Sequence, residues 1–243
     1  MGPIIVGVKV GQRMEPTALA VAEQGQRVED GWVVETYTVR FLERLPAGTS
    51  YPAVSKRLGE VVGRLASLAD AGGAGAALTL DIYADVTGLG APVVRVLQEA
   101  NVNVIPVFFT HGDRRVVHPD DGTVTLGKAL LVSQVQALLQ TGRLHLPRTP
   151  EAETLAKELI DYQIDSAQVD NDRYGAFVVG TQDDLVTALG LVTQGFPEVT
   201  TEEIVYLEDI IGDHRIHIGG DAPYQTPHQQ VLADWRRAFD NRY

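Results

Sequence analysis

A chain of 243 residues, 44% hydrophobic and without cysteine, can bury a large core, and it excludes disulfides, zinc–thiolate centres and cysteine nucleophiles. Its formal net charge of −12 counts against a protein that simply coats DNA, because neutralising phosphates takes Lys and Arg. No run approaches the ~18 apolar residues of a membrane crossing, and the start lacks the apolar stretch of a signal peptide, so a soluble protein working inside a cell is expected.

Pro3 to Val10 is short, β-branched and apolar, a strand signal. Thr17 to Glu23 follows a turn spanning Gly11 to Pro16, and Trp32 to Leu42 follows Glu29-Asp30-Gly31, so an antiparallel meander opens the chain. Val54, Leu58, Val61, Val62, Leu65 and Leu68 form one helical stripe. The small-residue run from Ala71 to Ala76 ends that helix before a strand at Leu78 to Ala84. From there strands and helices alternate. Gly88 to Pro92 opens a helix carrying Val93, Val94, Val96 and Leu97, and Asn103 to Phe109 is an apolar strand. A polar hairpin-like stretch turning at Asp120 to Thr123 precedes a helix at Lys128 to Leu139. Arg143 to Leu146 is a short strand, and Thr149-Pro150 supplies the N-cap and first turn of a helix reaching Tyr162. Tyr174 to Val179 is the last strand signal and Thr181 to Val192 the last helix. The predicted fold is α/β, a mixed sheet of an antiparallel meander and then parallel strands, flanked by helices, in the order of the RNase H-like nucleases. Residues 1–195 form the predicted domain, and 196–243 a polar, Pro/Gly-rich C-terminal extension in which Val231, Leu232, Trp235 and Phe239 suit a short helix.

Three acidic sites, four residues in all, are candidates for chemistry. Asp85 ends a strand just before a helix, where open α/β sheets gather functional groups. Asp183 and Asp184 stand in the first turn of the last helix, and Glu15 in the first turn of the chain. Converging carboxylates of this kind hold paired Mg²⁺ or Mn²⁺ ions that activate water and stabilise a leaving oxygen. Each has a plainer alternative: Asp183 and Asp184 cap a helix begun at Thr181, Asp85 belongs to an ordinary Asp-Val-Thr-Gly turn, and Glu15 is solvated.

Four segments, spread over residues 4 to 193, resemble the nuclease domain of phage large terminases: Val6 to Gln12 with Glu15 to Leu19, Tyr37 to Tyr51, Asp85 to Gly90, and Tyr174 to Phe177 with Asp183 to Leu189. The resemblance implies a two-metal endonuclease (Mg²⁺ or Mn²⁺) that cuts concatemeric double-stranded DNA in the host bacterium's cytoplasm, with portal and small terminase subunit as partners. It implies Asp85 as the metal ligand of the central strand and Asp183, or Asp184 beside it, as the ligand on the final helix. It also sets Arg114, Arg115 and Lys128 at the DNA cleft; read alone they are solvated surface cations. The family's first-strand aspartate is Lys9 here, and Gln182 stands where relatives often carry histidine. An ammonium among carboxylates occupies the position of a cation, and the expectation is that Lys9 pairs with Asp85. Two function classes follow: an endonuclease impaired at Lys9, and a pseudonuclease kept as a DNA-binding or motor-assembly module. A cellular RNase H-like resolvase fits the Tyr37 to Tyr51 segment less well. His214 and His217 make a weak third metal candidate. No phosphate-binding Gly-x-x-x-x-Gly-Lys-Ser/Thr loop occurs, so the translocating ATPase lies on no part of this sequence.

Overall fold

The computed structural model describes residues 2–12, 14–29, 31–71, 79–89, 91–99, 101–161 and 183–195. The predicted strand at Tyr174 to Val179, the N-cap Thr181, Gln182, both histidines His214 and His217, and the extension from 196 onward lie outside the described residues. Among those residues, no helix is long and apolar enough to cross a membrane.

The meander forms as expected: β1 (Ile4–Lys9) pairs antiparallel with β2 (Thr17–Glu29), which pairs antiparallel with β3 (Trp32–Leu45). The β2–β3 hairpin is longer than the apolar alternation predicts. Beyond Glu23 the strand reads Gln24-Gly25-Gln26-Arg27 and loses its hydrophobic pattern, yet backbone pairing continues to Glu29↔Trp32. A register shift between Val21 and Ala22 bends this ribbon. Helix α1 (Tyr51–Ala71), strand β4 (Leu80–Asp85), helix α2 (Ala91–Glu99) and strand β5 (Ile105–Thr110) follow in the predicted order. The polar hairpin is part of the main sheet: β6 (Arg115–Val117) pairs antiparallel with β7 (Val124–Gly127), which runs parallel to β5. Then come α3 (Lys128–Gln140), β8 (Leu144–His145), α4 (Pro150–Asp161) and α5 (Asp184–Val192), closed by a 3₁₀ turn over Thr193–Gly195. Thr149 Oγ1 accepts the Ala152 amide at 3.3 Å, the cap foreseen for α4. The eight strands order as β6-β7-β5-β4-β1-β2-β3-β8, with β4 and β5 parallel to β1, so the central five follow the RNase H-like arrangement.

Alternation across β1 divides the core. Ile4, Val6, Val8 and Val10 pack with Leu58, Val61, Val93 and Leu97 of α1 and α2 on one face. Gly7 and Lys9 face the other way, toward α5. The residues of β2 on that same face are Ala18, Ala20 and Ala22, all fully buried. This small-residue floor lets α5, buried on every side, lie close against β1 and β2. A Cβ at Gly7 would collide with the Ala188 carbonyl oxygen and crowd Leu191. Gly7→Ala is therefore expected to lower unfolding free energy by about 1–3 kcal/mol in a urea titration, the range of an overpacked core. An unchanged midpoint would mean that α5 does not sit where it is described.

Candidate active site

Strand register aligns Arg44, Ala18, Lys9 and Asp85 in one row across β3, β2, β1 and β4. Side chains in such a row share a face, here the one covered by α5. Lys9 and Asp85 are each the last residue of a strand, so the row lies at the carboxyl end of the central pair. Asp184 opens α5 directly above it.

The ammonium of Lys9 donates to Asp184 Oδ1 at 2.7 Å and to Glu15 Oε2 at 2.9 Å. The Lys9 and Asp184 side chains are only 10% and 5% exposed, so this is a buried pair, whereas Glu15 reaches in from the solvent at the β1–β2 turn. The expected Lys9–Asp85 pair does not form. Lysine's four-carbon stem carries its charge past the neighbouring strand and up to the helix. Asp85, with a short side chain, turns instead to accept the Thr87 amide at 2.9 Å, which is the local-turn alternative.

Glu158 of α4, which sequence reasoning missed, holds the start of α5. Its Oε2 accepts the amides of Leu185 at 2.9 Å and Val186 at 3.2 Å, and its other oxygen pairs with Arg44. Arg44 Nε lies 3.8 Å from Asp184 Oδ2. The helix N-terminus is thus capped from another helix. The N-cap position is Asp183, two residues later than predicted, and it makes no side-chain cap bond. With the amides served by Glu158, Asp183 and Asp184 are left to face cations: Lys128 Nζ stands 3.6 Å from Asp183 Oδ2. A signal for Glu158 exists in the sequence, since a glutamate three residues after the fully buried Leu155 lies on the apolar stripe of α4.

Burial alone would push the Lys9 ammonium down, but its bonds to Asp184 and Glu15 outweigh that and hold it above the usual lysine value. The bond from Lys9 pulls the Glu15 carboxyl below its usual range. Asp85 moves the other way: burial raises it, and the Thr87 hydrogen bonds together with the more distant Lys128 and Lys9 charges only partly offset this.

Of the cations expected to meet DNA, Arg114 is exposed in the loop after β5, and its carbonyl accepts the Gly127 amide at 2.8 Å beside Lys128. Arg115 is half-buried and hydrogen-bonds the Tyr83 side chain. Lys128 lies over the Phe109 ring, 5.4 Å from its centre, as well as facing Asp183.

Among the described residues the donor set does not fit a two-metal centre. Among the described residues, no group of three or more His, Asp and Glu stands together to hold a metal ion. Asp184 is matched by Lys9 and Arg44, Asp183 by Lys128, and Asp85 by its own turn.

No protein-family model and no curated protein matches this chain. Among solved structures it is similar to the large terminase nuclease from thermophilic phage G20c, with 18% identity and a TM-score of 0.49 over 80% of this chain and 83% of that one. The same nuclease with bound zinc gives the same identity and TM-score, covering 80% of this chain and 82% of that one. At such identity the likeness concerns the fold and carries no residue role across.

Two substitutions should move stability in opposite directions. Lys9→Met leaves Asp184 buried without its closest cation and is expected to cost about 3–5 kcal/mol at neutral pH. Asp85→Asn removes a carboxylate whose charged form burial disfavours, so thermal unfolding should shift upward. The sign follows from linkage: a raised folded-state pKa means the folded state binds the proton more tightly, so Asp85 detracts from stability above its pKa and the deficit fades as pH falls through it. The Asp85→Asn gain should accordingly vanish in acid. A loss of stability in that variant at neutral pH would contradict the assignment.

Proposed function

We propose that this chain is the nuclease-type domain of a phage DNA-packaging terminase, engaging duplex DNA in the host cytoplasm, and that with Lys9 in place it acts as a non-cutting, pseudonuclease module. The observation that carries the second half is the Lys9–Asp184 pair at 2.7 Å. One positive charge already sits among the acids that the resemblance assigns to metal ions, and a divalent cation arriving there would meet both its repulsion and the loss of a buried ion pair. The first half is supported by the four resembling segments. The described parts of them supply the end of β1, β3 with the start of α1, the end of β4 and the start of α5, the elements that surround the site. Arg114 and Lys128 supply local positive charge beside this end, the part of an acidic protein suited to a phosphate backbone. Translocating ATPase, portal and small subunit would be contributed by other polypeptide.

A second reading keeps metal-dependent cutting through Asp85, Asp183 and Asp184. One observation favours it: Asp85 is buried at the strand end with no ion-pair partner among the described residues. Supercoiled plasmid incubated with Mn²⁺ or Mg²⁺ separates the two. The protein as it stands should leave the plasmid intact, and Lys9→Asp should nick or linearise it. Cutting by the unaltered protein that Asp85→Asn abolishes would favour the second reading. Failure of Lys9→Asp to cut while remaining folded would show that more than one position disables the site.

A further inference from the structure

Beside the Lys9 site, a cleft of about 490 Å³ opens between the β1–β2 turn, the start of α1 and the β4–α2 turn. Its walls are Gln12, Met14 and Glu15 from the first, Tyr51 from the second, and Gly88 and Leu89 from the third, with Pro92 and Val93 from the first turn of α2. None of these except Glu15 takes part in the charge network. We propose that this cleft receives a single unstacked nucleobase with an adenine-type edge, a ring nitrogen acceptor next to an amino donor. The proposal rests on the reading of the domain as a DNA-engaging one and names what part of the DNA it takes.

The chemistry of the walls selects the ligand. Tyr51 contributes an aromatic ring to the lining, and Pro92, Leu89 and Met14 contribute apolar side chains, a composition that suits a flat ring. The volume lies within the range of small-ligand sites and exceeds what one base fills. The Gln12 carboxamide carries a donor and an acceptor side by side, the pair that reads an adenine edge in two hydrogen bonds. Gly88, at φ 74°, has no side chain to displace that amide, whose nitrogen would stand 3.0 Å from a Cβ there. Glu15 adds an acceptor at the edge of the cleft. A cationic side chain of a protein partner is the other candidate, but the Glu15 charge is already engaged by Lys9 at 2.9 Å, leaving its carboxylate better suited to a neutral amino group than to a second full charge.

The test is fluorescence anisotropy of end-labelled duplexes with the full chain: one fully paired, one with a single unpaired adenine, one with a single unpaired thymine. An arginine-rich peptide is the fourth probe. The unpaired adenine is expected to tighten binding about tenfold over the paired duplex, the scale of stacking one base on an aromatic ring. Gln12→Ala, at an exposed position, should remove much of the preference for adenine over thymine. Tyr51→Ala should remove most of the gain of either unpaired base, and Tyr51→Phe should restore it. Because Tyr51 also packs against the core, unfolding curves accompany its variants. Equal binding of all three duplexes, unchanged by Gln12→Ala, overturns the cleft proposal while leaving DNA engagement standing. Binding of none of them overturns both. Binding of the peptide alone overturns the base in favour of a protein partner.

Discussion

A buried ammonium between carboxylates organises the carboxyl end of the central strands. Lys9 would be costly to hold in a core without partners, and Asp184 equally so. Together, with Glu15 reaching in from the turn, they satisfy each other and tie β1, the β1–β2 turn and α5 into one structure. The pair exists because three independent features agree. Gly7 and the β2 alanines let α5 approach, Glu158 caps α5 from α4, and strand register turns Lys9 toward the helix rather than toward the α1–α2 core.

The same arrangement gives each of the described candidate acids a partner within the protein. Carboxylates that converge without cations repel, and divalent ions are the usual remedy. Here the compensation is covalently built in: Lys9 and Arg44 face Asp184, and Lys128 faces Asp183. Asp85 alone is left to its own turn, and burial makes its charge unfavourable.

Much of the fold was legible because its signals are local. The β-branched run of β1, the helical stripe of α1 and the Thr149-Pro150 start of α4 each announce themselves within a few residues. The tip of the β2–β3 hairpin was not legible, since Gln24 to Arg27 carry no apolar pattern and are held by backbone pairing alone. Nor was the membership of β6 and β7 in the main sheet, which depends on a distant parallel pairing. The sequence names Asp85, Asp183, Asp184 and Lys9 as candidates, but it does not show which partner each side chain takes. Lys9 was assigned to Asp85, the adjacent strand, when the length of its stem directs it to Asp184. Glu158 and Arg44 escaped notice because their role is defined only once α4, β3 and α5 meet.

The most direct measurement is a Mn²⁺ titration of the protein as it stands, followed by calorimetry at neutral pH. With Lys9 already serving as the cation, the titration should show no saturable uptake. A saturable isotherm that disappears in Asp85→Asn would contradict the account, since it would mean that a divalent ion shares the site with the ammonium or displaces it.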